Sequence, residues 1–261
     1  MLNDTFAPDV NHLQEILDTF DPISLAEMDA VRLMNRTDTK YIFHIDLLPE
    51  LLEMVRNEYR VLSVNGNRQS SYETRYFDTK DLRFYTQHHN EKLNRHKVRF
   101  RNYIESNLCF LEVKFKTNKD RTIKNRMVVP GFEDKLSEES VRFLRDIAGI
   151  EFELHYVLTN RFNRITLVNR YTPERVTIDL GISFKDANHS AEAPYLVIAE
   201  VKQEKYLQET AFVKILKQRL IRPEGMSKYC AGCYLMRTDV KTNNFKQKIL
   251  KLQRIENEHA A

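Results

Sequence analysis

Lys97-Val98-Arg99-Phe100-Arg101 alternates a cation with an apolar residue, and Glu112-Val113-Lys114-Phe115-Lys116 repeats the alternation with a charge at every second position. Successive side chains of a β-strand point to opposite faces, so in each segment the charges share one face and Val or Phe takes the other. Lys124 and Arg126 carry the pattern into a third segment. From Asn94 to Arg126 the chain has ten Lys or Arg and three Asp or Glu. Adjacent strands would align these rows into a cationic wall. Such a wall repels itself unless an anion occupies it, and the matching partner is a compound with many phosphates.

Outward from these segments the pattern stays extended. Strands are predicted at 59–64, 70–77, 94–104, 108–116, 121–129, 154–169, 175–184 and 195–203, with turn signals at Asn65-Gly66-Asn67 and Thr117-Asn118-Lys119-Asp120. A further β-branched and aromatic run covers Lys40 to Ile45, and Asp46 then suits the N-cap of a helix to about Glu58. Apolar spacing at Leu13, Ile16, Leu17 and Phe20 predicts an N-terminal helix, a break at Pro22 and a second helix from Ser24 to Met34. Other helices are predicted at 79–89, 137–148, 208–220 and 227–238. Strands joined by short turns favour an antiparallel sheet in an α+β fold. Eight is about the number that closes into a barrel with room for a small ligand.

The chain has 261 residues, enough for a sizeable core, and 41 Lys plus Arg against 37 Asp plus Glu, a net charge of +4. The positive charge that matters is therefore local. A binder of bulk nucleic acid would carry a larger excess, and stacking aromatics are not evident among the cationic stripes, so no nucleic acid is expected. No apolar run is long enough to cross a bilayer, and Met1-Leu2-Asn3-Asp4 lacks the layout of a signal peptide, which makes a cytoplasmic location the expectation. Three cysteines suit a reducing compartment, and Cys230-Ala231-Gly232-Cys233 reads as a packed helix position rather than a redox or zinc motif. Neither GxGxxG nor GxxxxGK[ST] occurs. His88, His89 and His96 are read as surface residues. The basic segment from Lys241, with Phe245, Ile249, Leu252 and Ile255 at helical spacing, is expected to dock on the body or fray, with peripheral membrane association as the lesser alternative.

A charged strand face is ordinarily just the wet face of an antiparallel sheet. Repetition moves the balance: Arg161 and Arg164 lie in one strand, Arg175, Thr177 and Asp179 share a face of another, and Glu200 and Lys202 share a face of a third. If these faces point inward, the cations need a counter-charge, and the fork of arginine takes two phosphate oxygens at once. Glu200, and with it Glu112, could hold a divalent cation whose other ligands are phosphate oxygens and water. For Glu112, pairing with a neighbouring Arg or Lys is an equal alternative.

Arg36-Thr37-Asp38-Thr39-Lys40-Tyr41, Tyr76-Phe77-Asp78-Thr79, Lys97-Val98-Arg99-Phe100-Arg101, Leu111-Glu112-Val113-Lys114, Ile198-Ala199-Glu200-Val201-Lys202 and Ser227-Lys228-Tyr229 resemble, in that order, the polyphosphate polymerase domain of the vacuolar transporter chaperone (VTC) family, within the triphosphate tunnel metalloenzymes. The resemblance runs from about Ser24 to Arg237. It implies residues 1–23 as a helical extension, 24–240 as a tunnel domain built on an eight-stranded antiparallel barrel flanked by helices, and 241–261 as a basic tail. It also implies an enzyme that makes inorganic polyphosphate from ATP with Mn²⁺ or Mg²⁺. Carried over by motif, Lys40, Lys97, Arg99, Arg101, Lys114, Lys124, Arg126, Arg161, Arg175, Lys202 and Lys228 would bind phosphates. Lys40, Arg99, Arg101, Glu200 and Lys228 would be catalytic, and Glu200 with Glu112 would hold metal. Hydrolytic relatives open with Glu-x-Glu-x-Lys where this chain has Arg36-Thr37-Asp38-Thr39-Lys40, a change that favours retention of a polyanion and hence a polymerase over a tripolyphosphatase. The chain carries no fused membrane segment or phosphate-sensing domain, so coupling to transport is not expected from it.

Overall fold

In a computed structural model, the structure describes residues 10–30, 36–119, 121–204 and 209–257. In chain order the elements are α1 (Val10–Asp18), β1 (Pro22–Ile23), α2 (Leu25–Ala30), β2 (Arg36–His44), α3 (Leu48–Val55), β3 (Tyr59–Leu62), β4 (Ser70–Asp78), α4 (Arg83–His89), β5 (Arg95–Tyr103), β6 (Leu108–Lys116), β7 (Thr122–Val129), α5 (Glu138–Ala148), β8 (His155–Asn169), β9 (Glu174–Lys185), β10 (Ser190–Ala193), β11 (Leu196–Glu204), α6 (Ala211–Gln218), α7 (Lys228–Met236) and α8 (Lys246–Asn257). Of the expected helix to Met34 the structure describes Leu25–Ala30, and its remainder, like the expected start of the 208–220 helix, lies outside the described residues.

Eight strands form one hydrogen-bonded path, β2-β11-β9-β8-β4-β5-β6-β7, antiparallel at every step. The architecture is the α+β antiparallel sheet flanked by helices that the pattern predicts. Two details differ. The eighth strand of the path is the Lys40 run, extended back to Arg36, whereas the predicted strand at 59–64 becomes β3, a branch on β8 that also pairs in parallel with β1. And the path does not close: no pairing joins β2 to β7 among the described residues. Both rims carry cations on the same face, Arg36 and Lys40 on β2, Lys124 and Arg126 on β7, so a seam would oppose like charges.

The sheet nevertheless curls. Lys40 on β2 and Lys97 on β5 are five strand spacings apart along the path, about 24 Å in a flat sheet, yet Lys40 comes near enough for its charge to help push the Lys97 ammonium down. The outer, convex face is packed in two halves. Tyr41, Phe43, Ile165, Leu167, Val176, Ile178, Val197, Ala199 and Val201 meet α1, α3 and α6, and Phe77, Val98, Phe100, Leu111 and Val113 meet α5. These are the residues that alternate with the charged rows. Ser137 caps α5 by accepting from the Ser140 amide (3.2 Å), and Gly149 ends it at φ 61°, a left-handed conformation cheap only for glycine. Asp46 does not cap α3; it sits in a 3₁₀ turn whose amide donates to the His44 ring, and Pro49 falls in the first turn of α3.

One part of the concave face is apolar and is filled by the C-terminal helices. Ile42, Tyr76, Phe162, Ile198 and Leu158 pack with Tyr229, Cys230, Cys233 and Met236 of α7, and Phe245, Leu252 and Ile255 dock α8 behind them. The expected docking of the 241–261 segment is therefore what the structure shows through Asn257. Cys230-Ala231-Gly232-Cys233 is small because α7 lies tight on the sheet: a Cβ at Gly232 would stand 2.7 Å from Phe184 and 2.9 Å from Leu158. All three cysteines are free and buried. Asp78 ties this corner together, accepting from the amides of Thr79, Phe84 and Tyr85 and from the Tyr229 hydroxyl (2.6 Å).

Candidate functional site

Register places the charged rows on one face. Lys97, Arg99 and Arg101 of β5 stand opposite Lys114, Glu112 and Phe110 of β6, and Lys114 and Glu112 in turn oppose Lys124 and Arg126 of β7. Across the path, Arg101 faces Thr74 and Tyr72 faces Phe162, then Arg164 faces Asp179, Glu200 lies between Thr177 and Lys40, and Lys202 between Arg175 and Asp38. Because the sheet curls, α7 spans the trough. Its cap residue Ser227 accepts from Lys97 Nζ (3.0 Å), and its first residue, Lys228, pairs with Asp179.

Three buried or nearly buried carboxylates hold six of these cations. Glu112, with no exposed surface, takes Arg99 (Nε 2.7 Å, Nη2 2.6 Å) on one oxygen and Lys124 on the other. Asp179 receives the Arg164 fork (2.5 and 2.8 Å) and Lys228. Glu200 bridges Lys40 (2.7 Å) and Lys202 (2.6 Å), and Lys202 also donates to Thr177 Oγ1 (3.1 Å). Burial by itself would raise all three carboxyls. The paired cations override it and hold each far below the usual carboxylate range: Arg99, Arg101 and Lys124 for Glu112, Arg164 and Lys228 for Asp179, Lys202 and Lys40 for Glu200.

Among the described residues, Arg101, Lys97 and Lys114 make no ion pair with a carboxylate. Arg101 is buried, donates to Thr74 Oγ1 (3.2 Å) and lies over the Tyr72 and Phe162 rings (5.6 and 5.7 Å). Arg164 lies over the same two rings and Lys228 over Phe162, the pair being stacked at 5.1 Å. Lys97 falls to about 8 through burial, with Arg99, Lys40 and Arg95 adding to it. Lys114 falls to about 6, first through Arg99, then through burial, Lys97, Arg101 and Lys124. A site that pushes two ammonium groups below the ordinary lysine range is short of negative charge, and an anion would supply it.

The structure thus brings together Lys40, Lys97, Arg99, Arg101, Lys114, Lys124, Lys202, Lys228, Glu112 and Glu200 on one concave face. Arg126 shares it at the exposed rim, its guanidinium over Phe110 (4.6 Å), and Arg175 shares it near the opposite end, donating to the Met28 carbonyl (3.1 Å). Arg161 is not brought in. It pairs in register with Glu73 on the other face of β8, is 69% exposed, and salt-bridges that residue at 3.2 Å. The inward arginine of β8 is Arg164, which the phosphate-binding set leaves out although it lies in the same predicted strand. Of the two readings of Glu112, the structure shows the ion pair.

Residues for a metal are sparse. Among the described residues no group of three His, Cys, Asp or Glu converges, and both oxygens of Glu112 and of Glu200 are engaged by cations. Glu112 does not fit a metal, being fully buried between Arg99 and Lys124. Glu200 is partly exposed and held by flexible lysines that could turn to phosphate, which fits a hard cation taking one carboxylate from the protein and the rest of its shell from phosphate and water. A cleft of about 630 Å³ lined by Glu58, Asn169, Thr172, Glu209 and Lys214 lies apart, between the ends of α3 and α6 and the β8–β9 turn.

Comparison with known families agrees with the ordered motifs on this face. A model of the VTC domain matches residues 35–237. The chain belongs to that family. In this VTC domain the match runs from the residue before β2 to the end of α7 and so takes in the whole strand path with its charged rows. No curated protein matches the chain. Similar solved structures include candidate adenylate cyclases from Vibrio parahaemolyticus (13% identity, TM-score 0.46, covering 77% of this chain and 100% of that one) and Bacillus halodurans (13%, 0.43, 74% and 96%). Another is a candidate adenylyl cyclase from Hippeastrum described as having dominant triphosphatase activity (14%, 0.47, 76% and 95%).

Proposed function

We propose that this VTC domain is an inorganic polyphosphate polymerase that transfers the γ-phosphate of ATP to a growing phosphate chain. The observation that carries the reading is the trio Lys97, Lys114 and Arg101, cations directed onto the concave face with no carboxylate partner among the described residues, on the same face as Arg99, Lys124, Lys40 and Lys202. A linear polyphosphate supplies the negative charge that this row lacks. Arg99, Arg101 and Lys228 are held by buried contacts and so are positioned before the ligand arrives, which is how an electrostatic catalyst spends little on reorganisation.

The step needs no side-chain nucleophile. A terminal oxygen of the acceptor chain attacks the γ-phosphorus in line, the bond from that phosphorus to the β,γ-bridging oxygen breaks, and ADP leaves with the electron pair. Lys40 and Lys202 would turn from Glu200 toward the equatorial oxygens, and Arg99 and Lys228 would hold the chain on either side of the transferred group. When bound by Glu200 together with phosphate oxygens, Mn²⁺ or Mg²⁺ supplies neutralisation of the charge between the phosphates.

Among the described residues no pairing closes the sheet between β2 and β7. Water can reach a bound triphosphate there, and this favours a second reading, a metal-dependent tripolyphosphatase with water as acceptor. Incubation with ATP and Mn²⁺ decides between them. Chains resolved on a gel are the expected result; orthophosphate as the sole product would overturn the polymerase reading, and no turnover with retained phosphate binding would leave a non-catalytic binding module.

A further inference from the structure

The cationic row does not end at the sheet. His88 on α4 stands where α4, β5 and α8 meet, its ring 6.2 Å from Phe245, and Lys248 of α8 reaches over that same Phe245 ring (5.8 Å). The corner is latched: Tyr85 donates to the Lys241 carbonyl (2.6 Å), the Asn244 amide to His89 Nε2 (3.2 Å), and the Asn244 side chain to the His89 carbonyl (3.0 Å). It adjoins the trough directly. Lys97 reaches Ser227 at the N-terminus of α7, and the carbonyl of Lys40 accepts from the Glu224 amide (2.7 Å), whose side chain faces Lys251 of α8 (3.7 Å).

We infer that His88 and Lys248, with Arg95, form an anion-binding mouth continuous with Lys97 and Lys40, so that inorganic polyphosphate in the trough extends onto the C-terminal segment and draws a proton onto His88. The inference rests on the proposal that the concave face binds a phosphate chain. It makes α8 part of the binding surface rather than only a strut.

The charges around the imidazole support this. Burial and then Lys97, Arg95, Lys248 and Lys40 push His88 down to about 3. These come from β5, β2 and α8, and all are positive. From α7, the Cys230 thiol lies beside the same Lys97, Arg95 and Lys248, and burial keeps it protonated. On α4 itself, His89 is buried and bonded to Asn90 and Asn244. In the empty protein His88 is thus neutral at pH 7. An anion between His88 and these cations offsets their charge and favours the imidazolium, which can then donate to a phosphate oxygen. Binding therefore takes up a proton, and affinity falls as pH rises through the raised pKa of the complex.

Titration of the whole protein with inorganic tripolyphosphate by calorimetry, in two buffers of different ionisation enthalpy at pH 7, counts the protons taken up. Relative to the unmodified protein, His88→Gln is expected to take up fewer by as much as about one. Lys248→Gln, at a partly exposed position that leaves the core intact, is expected to weaken binding by about fivefold and to lessen its salt dependence. Thermal melts establish that each variant is folded, and Lys248→Gln tests the mouth should His88→Gln fail to fold. If the unmodified protein binds tripolyphosphate and both variants bind with the same affinity and proton uptake, this inference is overturned and the proposed function stands. If the unmodified protein binds no tripolyphosphate, both fall.

Discussion

The two faces of the same sheet are made by alternate residues of the same strands, and they are stabilised in opposite ways. On the convex side Val98, Phe100, Leu111 and Val113 are buried against α5 and gain by leaving water. On the concave side their neighbours Lys97, Arg99, Arg101, Glu112 and Lys114 are partly or wholly removed from water with an excess of positive charge. The first face is complete as folded. The second is held together by Glu112, Asp179 and Glu200 and remains short of anions, so its stability should depend on what binds there.

Variants that remove charge from the concave face should separate the two faces most sharply. Glu112→Gln leaves the buried Arg99 without its carboxylate and Lys124 without its partner, and is expected to cost about 3–5 kcal/mol. Chemical denaturation would measure it, and inorganic tripolyphosphate should recover part of the loss by supplying the counter-charge; no recovery would mean that the face does not take anions. Glu200→Gln is expected to lower turnover of ATP roughly 10²-fold or more while triphosphate binding is partly retained. Unchanged turnover would remove Glu200 from the chemistry.

On the apolar side, Gly232→Ala forces a methyl against Phe184 and Leu158 and should destabilise by about 1–3 kcal/mol without changing phosphate affinity. A change of affinity beyond that of the altered melting point would show that α7 does more than fill the trough. The pH dependence is smaller. Lys97 and Lys114 fold with pKa values of about 8 and about 6, below the ordinary lysine value, so the unfolded chain binds more protons across that range and stability should rise with pH from about 6 toward 9. A rise of about 2–4 °C in the melting temperature, flattened by tripolyphosphate, is expected. Arg161→Ala should matter least, within about 0.5 kcal/mol and without effect on turnover, because the side chain is exposed on the other face; a large loss of turnover would place Arg161 at the site after all.

Much of this face is legible in the chain because a period of two needs no knowledge of partners. Lys97, Arg99 and Arg101, or Glu200 and Lys202, must share a face of any strand that contains them. Arg161 and Arg164 show the limit. Three residues apart, they point to opposite faces, and which one points inward depends on pairing with β4 and β9, where the register shifts between Arg161 and Asn163 and again at Tyr76 and Phe77. His88 shows another limit: next to His89 in a short helix it reads as a surface residue, and the cations around it come from β5, β2 and α8, which only the fold brings to one place.

The sequence by itself determined the antiparallel α+β class, the cationic rows and the family, since each is written in local alternation or in the order of short motifs. The tertiary structure decided which carboxylates neutralise which cations, that the trough stays open between β2 and β7, and that α7 and α8 fill one end of it. Those outcomes depend on register and on contacts between residues more than 150 positions apart, such as Tyr229 with Asp78 and Tyr85 with Lys241. The energy of a buried charge is set by whatever lies within a few ångströms of it, and only the folded chain brings those groups together.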